Sequence, residues 1–208
     1  MDSWATLFER GEAAGVDAAA VTDALRERRA SAGTETETGT EDDDDRTAAS
    51  TDRPEPSPAR VVADADVLAA DLLVGGAARD ALDPLRAHSW TTLVASDALL
   101  DDAAAVIADL ADADLAAGWR AKAESWREPV AQPAGDHPAL ASAYRGGAMH
   151  VLSFDDRLTA AGTAAGLNDH FPVSVREPRA FATLFDAARL YPEVGDGEYP
   201  GPDRDPRV

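Results

Sequence analysis

Asp64, Asp102, Asp136 and Asp155 each lie after an apolar run or at the start of a helical one. Asp64 ends RVVAD (60–64). Asp102 closes SDALLDD (96–102), just after TTLVA (91–95). Asp136 opens DHPALASAYRGG (136–147), and Asp155 follows MHVLSF (149–154). In an open parallel α/β sheet the active site forms outside the carboxyl ends of the strands. Carboxylates meeting there suit hard divalent cations, which take oxygen ligands. The chemistry indicated is metal-dependent hydrolysis of a nucleic-acid phosphodiester, with Mg²⁺ or Mn²⁺ held by these aspartates. Aspartate makes up 27 of the 208 residues, so a single acid after a strand means little. The order and setting of all four carry the argument.

These residues need a scaffold of alternating elements. Strand-like apolar runs occur at 60–64, 91–95, 149–153 and 172–175. Helical stretches are expected at 66–73, 77–87, 96–115, 115–128, 136–144, 156–165 and 177–190. The alternation predicts an α/β domain over 59–190, with a parallel sheet flanked by helices and right-handed crossovers. Residues 1–30 predict a short helical unit: Trp4, Leu7 and Phe8 share one face, and Val16, Val21 and Leu25 form a second stripe. That unit docks on its own domain or on a protein partner; Arg26, Arg28 and Arg29 also suggest a nucleic-acid-binding helix pair. Residues 31–58 hold no large apolar side chain and predict a disordered acidic linker. Residues 191–208, rich in Pro, Gly and acid, predict a loose tail.

Composition narrows the classes. There are 39 acidic against 19 basic residues, a net charge of −20, and Lys122 is the only lysine. This balance is similar to that of proteins from extreme halophiles. It disfavours non-specific nucleic-acid binding through Lys and Arg, although at 1 M salt the Debye length is only about 3 Å and long-range repulsion fades. The absence of cysteine excludes disulfides, thiolate metal sites and cysteine nucleophiles. No apolar run approaches a bilayer span, and the N-terminus lacks the pattern of a secretory signal. The expectation is a soluble, cytoplasmic protein with no membrane partner. The four histidines share no metal-ligand spacing, and neither a Gly-x-Ser-x-Gly turn nor a phosphate-binding glycine pattern occurs.

Residues 59–184 resemble a PIN-like domain, the fold of many ribonucleases and of toxins in toxin–antitoxin pairs. VVADADVLAADLL (61–73) matches the first motif, with Asp64 and Asp66. LVASDALLDDAAAVI (93–107) matches the second, with Asp102 favoured and Asp101 the alternative; the family usually has glutamate there. DHPALASAYRGGAMHVLSFDDRL (136–158) matches the third and fourth, with Asp136, Ser153, Asp155 and Leu158. The chain resembles a haloarchaeal branch of that family more than a typical toxin, because it adds an N-terminal unit and a long linker. The resemblance implies a metal-dependent endoribonuclease acting on single-stranded RNA, with Asp64, Asp102, Asp136 and Asp155 as catalytic and metal-binding residues. Asp66 and Ser153 would support them, Asp66 alternatively serving as a helix N-cap, and Asp156 reads as a first-turn helix acid. The other reading is a catalytically inactive PIN-like scaffold serving as a protein-interaction module. A receiver-like domain also holds Mg²⁺ in an acid cluster, but it needs a lysine after a late strand, and Lys122 lies in a helical stretch.

Overall fold

The computed structural model describes residues 2–35, 54–133, 135–160 and 172–208. Five parallel strands form its one sheet among these residues: β1 (Ser57–Ala63), β2 (Thr92–Ser96), β3 (Arg127–Val130), β4 (Ala148–Leu152) and β5 (Ser174–Arg176). Their order is β3-β2-β1-β4-β5. The register pairs Val61 with Leu93 on one side and with His150 on the other. β1 is therefore central, and Val61, Val62 and Ala63 are fully buried. A continuous apolar run is what a parallel strand covered on both faces requires.

The connections explain where a ligand would go. From β1 the chain steps outward through β2 to β3, then returns past β1 to β4 and on to β5. The order reverses between β1 and β4, and open α/β sheets bind ligands at such a switch point, outside the carboxyl ends. Asp64 follows β1 and Ser153 follows β4, so both stand at that crevice.

Helix α3 (Ala65–Leu73) fills the centre of one layer, and all nine of its residues are buried. It packs against α4 (Gly76–Arg86) and α5 (Asp97–Leu110), and α5 packs against α6 (Ala113–Trp126). Helix α7 (Pro138–Gly146) lies across β1, β2 and β4. Gly146 and Gly147 make that placement possible: a Cβ on Gly146 would overlap Val94, and Gly147 caps α7 in the left-handed region at φ 62°.

The N-terminal helices, α1 (Trp4–Glu12) and α2 (Ala18–Glu35), dock on the chain's own domain. Trp4, Leu7, Phe8, Val21 and Leu25 belong to the same apolar core as the sheet. A Cβ on Gly11 would overlap the Leu72 carbonyl oxygen, so α1 sits directly against the α3 backbone. The apolar stripe expected to face either the domain or a partner is thus used internally.

Other expectations need correction. β3 was hidden in the run read as helix 115–128 followed by a break. Its sequence REPV carries two charges and a proline, which suits a short edge strand bonded on one side only. The single helix expected over 177–190 is broken into α9 (Pro178–Leu184) and α10 (Ala187–Leu190), with Asp186 capping the second. Only α8 (Asp156–Thr159) is seen of the helix expected over 156–165; residues 161–171 lie outside the described residues. So do residues 36–53 of the expected linker, but at its ends α2 runs to Glu35 and β1 begins at Ser57. Residues 191–208, read as a loose tail, are laid along the domain. Asp203 and Arg204 donate backbone N–H groups to the Ala87 carbonyl, Tyr199 meets His88 at 2.6 Å, and the Arg207 carbonyl accepts from Ala5.

Candidate functional site

The site is built on the ends of β1, β2 and β4. Asp64 leaves β1 with extended backbone and becomes the N-cap of α3, its Oδ1 accepting from the Ala65 N–H at 2.8 Å. The cap is therefore Asp64, not Asp66. Asp66 is buried in the first turn, where Oδ1 accepts from Val67 N–H at 2.7 Å and Oδ2 from Phe154 N–H at 3.0 Å. Ser153, also buried, ties β1 to the β4 loop. Its Oγ lies 3.2 Å from Asp64 Oδ2 and 3.4 Å from Asp66 Oδ2, and accepts from Asp155 N–H at 3.0 Å. Asp155 caps α8 by accepting from Arg157 N–H at 2.9 Å.

β2 delivers the next acid. Ser96 caps α5, which turns Asp102 toward Asp64 and Asp101 away. Asp101 pairs instead with Arg120 at 3.0 Å. Of the two acids that the sequence offers, Asp102 is the one that Arg29 links to Asp64.

The cation facing these acids comes from the chain itself. Arg29, on α2, donates from Nη2 to Asp64 Oδ1 at 2.7 Å and from Nη1 to Asp64 Oδ2 at 3.2 Å. Its Nε donates to Asp102 Oδ2 at 3.3 Å, while Arg28 Nε donates to Asp102 Oδ1 at 3.1 Å. Arg29 Nη1 also stands 3.1 Å from His137 Nε2. One guanidinium thus spans the end of β1, the second turn of α5 and the residue just before α7. The fork geometry of arginine allows this bidentate grip on a carboxylate.

Asp136 is placed elsewhere. It is exposed at the surface, two residues before α7 begins, and its backbone carbonyl accepts from Gln132 Nε2 at 2.9 Å. The residue that reaches the cluster from this segment is His137. Asp156 is exposed in the first turn of α8, as the simple helix-acid reading expects. Asp64, Asp66, Asp102, Ser153 and Asp155 are brought to one edge; Asp136 is not among them.

The titration behaviour follows from this geometry. Burial pushes the Asp64 carboxyl up, but Arg29, by hydrogen bond and charge, together with the Ala65 N–H, brings it below the ordinary carboxylate range. Asp66 has no such partner at contact distance. Burial first, and then the Asp64 charge, raise it to about 8. Burial also lowers His137, so its imidazole is neutral at pH 7, and Nε2 accepts from Arg29. Among the described residues the buried His137 Nδ1 then has no hydrogen-bond partner.

Residues 55–207 match the model of a family of unknown function, DUF7384. The chain belongs to DUF7384. No curated protein and no solved structure matches it. Every carboxylate of the cluster lies inside the DUF7384 segment, whereas Arg28 and Arg29 lie outside it. Among the described residues of this DUF7384 protein, no helix is long and apolar enough to cross a membrane.

Sequence reasoning overlooked Arg29 as a site residue. Its one signal was the cluster RERR (26–29) at the end of an apolar stripe. Nothing local marks His137, whose role depends on Pro138 starting α7 and turning the preceding residue inward.

Proposed function

We propose that this DUF7384 protein is a PIN-like, metal-dependent nuclease that hydrolyses single-stranded RNA in the cytoplasm. Asp64, Asp102 and Asp155 would be the ligands for Mg²⁺ or Mn²⁺, and Ser153 and Asp66 would hold Asp64 in place. The observation that carries this reading is convergence: acids from β1 and α5 share one positive charge at the switch point of a parallel sheet, where Ser153 ties Asp64 to the β4 loop. Phosphodiester hydrolysis needs an activated water and relief of phosphate charge, which a bound divalent ion supplies.

The donor set is right for such an ion, but the docked arrangement does not fit one. Both Asp64 oxygens accept from Arg29, and no group of three or more His, Asp or Glu among the described residues stands ready to hold a metal.

A second reading is favoured by the same ion pair and by the exposure of Asp136. In it the acids are a docking node for α2, and the domain is a non-catalytic interaction scaffold. A nuclease assay in molar KCl, with and without Mn²⁺, separates the two. Wild type should cleave single-stranded RNA only with Mn²⁺, and Asp64→Asn should not cleave. Equal behaviour of the two proteins leaves the scaffold reading standing.

A further inference from the structure

Arg29 occupies the centre toward which the carboxylates converge. Its guanidinium takes both oxygens of a fully buried Asp64, reaches Asp102, and closes on His137. Arg28 covers Asp102 from the other side at 3.1 Å. A guanidinium and a divalent cation are alternative answers to the same need, since both must neutralise carboxylates that lost water on burial. The two cannot share Asp64, whose oxygens are already hydrogen-bonded by Arg29, Ser153 and the Ala65 N–H.

The way α2 is fixed makes it suited to leave. Among its described side chains the buried apolar anchors, Val21 and Leu25, lie in its first half, and beyond them the helix presents Arg28 and Arg29 to the acids. Helix α1, by contrast, is pinned through Trp4, Leu7 and Phe8 and by the close approach of Gly11 to Leu72. The segment from Arg26 onward can therefore lift without α1 being extracted from the core.

We propose that the second half of α2 is an autoinhibitory cover, whose Arg29 stands in for a divalent cation and must withdraw before that cation can bind. The proposal rests on the metal reading given above and adds its regulation: cation entry and α2 docking are mutually exclusive. By linkage, a cation that binds only the uncovered form pushes α2 outward by the same free energy that α2 docking costs the cation. The effect is confined to this chain's own residues and needs no partner.

The test is Mn²⁺ titration calorimetry on the full-length chain in molar KCl, comparing wild type with Arg29→Gln and Asp64→Asn. Hydrogen–deuterium exchange of wild type with and without Mn²⁺ accompanies it. Glutamine retains a hydrogen-bond donor for Asp64 but no charge. We expect Arg29→Gln to bind Mn²⁺ at least about tenfold more tightly than wild type, a difference of about 1.4 kcal/mol, and Asp64→Asn not to bind. In wild type, Mn²⁺ should speed exchange in 26–35 while leaving 4–12 protected. If wild type and Arg29→Gln bind equally, or if Mn²⁺ binds without altering exchange in 26–35, the cover is refuted while the metal reading survives. If neither protein binds Mn²⁺, both the cover and the metal reading fall, and Arg29 is a permanent structural counterion. The exchange measurement uses wild type alone, so it decides the question even if Arg29→Gln folds poorly.

Discussion

At the residue scale the decisive quantity is the charge balance around Asp64. A buried carboxylate without a partner is costly, and removing one member of a buried pair usually costs about 3–5 kcal/mol. Arg29 remains about one quarter exposed, so Arg29→Ala should destabilise by less, on the order of 2–3 kcal/mol. The sign of its pH dependence is also fixed. In wild type the Asp64 carboxyl is lowered on folding. Its contribution is present above the unfolded carboxylate pKa, near 4, and is lost as pH falls through the lower folded value. In Arg29→Ala burial acts unopposed by the guanidinium, so the folded pKa rises and Asp64 should instead cost stability as pH increases above 4. Urea unfolding between pH 4 and 8 should therefore show a steeper decline with pH in the variant than in wild type. Asp66 gives a second prediction. Raised to about 8 in the folded protein, it binds a proton there that the unfolded chain has already released. Its contribution is most favourable below pH 4, declines from pH 4 to 8, and is level above 8. Asp66→Asn should flatten that decline, and a slope unchanged by the substitution would mean that Asp66 is ionised on folding.

At the element scale the same structure depends on how closely helices approach. Gly11 allows α1 to lie on the α3 backbone at Leu72, where a Cβ cannot fit without movement. Gly11→Ala should therefore destabilise by about 1–3 kcal/mol, the usual cost of overpacking, despite alanine's better helix propensity. Thermal melting in molar KCl checks this, and a variant as stable as wild type would show that α1 is loosely held. The elements most legible in the sequence were those whose burial is continuous. β1, β2 and β4 were readable because VVA, TLVA and VL are uninterrupted apolar runs. β3 was not, because an edge strand needs no such run and Pro129 obscured it. Asp64 and Asp102 could be paired from sequence because each follows a strand in the same parallel sheet. The Arg29 contact could not, because it joins positions 29 and 64 across two layers and depends on the docking angle of α2. The placement of Asp136 could not be read for a related reason: it lies in the loop before α7, where His137 faces Arg29 and Asp136 faces solvent.

At the scale of the whole molecule, a net charge of −20 sets long-range repulsion against short-range pairing. Salt acts on the two differently. At 1 M the Debye length is about 3 Å, which removes repulsion between separated surface acids and weakens exposed ion pairs, while buried pairs are screened much less. The protein contains both kinds. Arg29 and Asp64 form a buried pair at 2.7 Å, and Arg120 meets Asp97 at 3.2 Å with Asp97 largely exposed. Stability should therefore rise as KCl is increased toward molar concentrations, even though some ion pairs weaken. Double-mutant cycles distinguish the contributions. The coupling between Arg29 and Asp64 should persist from 0.2 M to 2 M KCl, whereas that between Arg120 and Asp97 should fall toward zero. Loss of both couplings together would instead mean that Asp64 is reached by solvent and ions whenever α2 is docked. A drop in stability with added KCl would mean that surface repulsion contributes less than the exposed pairs it accompanies. Persistence of the Arg29–Asp64 coupling in high salt also bears on the cover: bulk monovalent ions would not release α2, leaving that task to a cation with enough charge density to compete for both Asp64 oxygens.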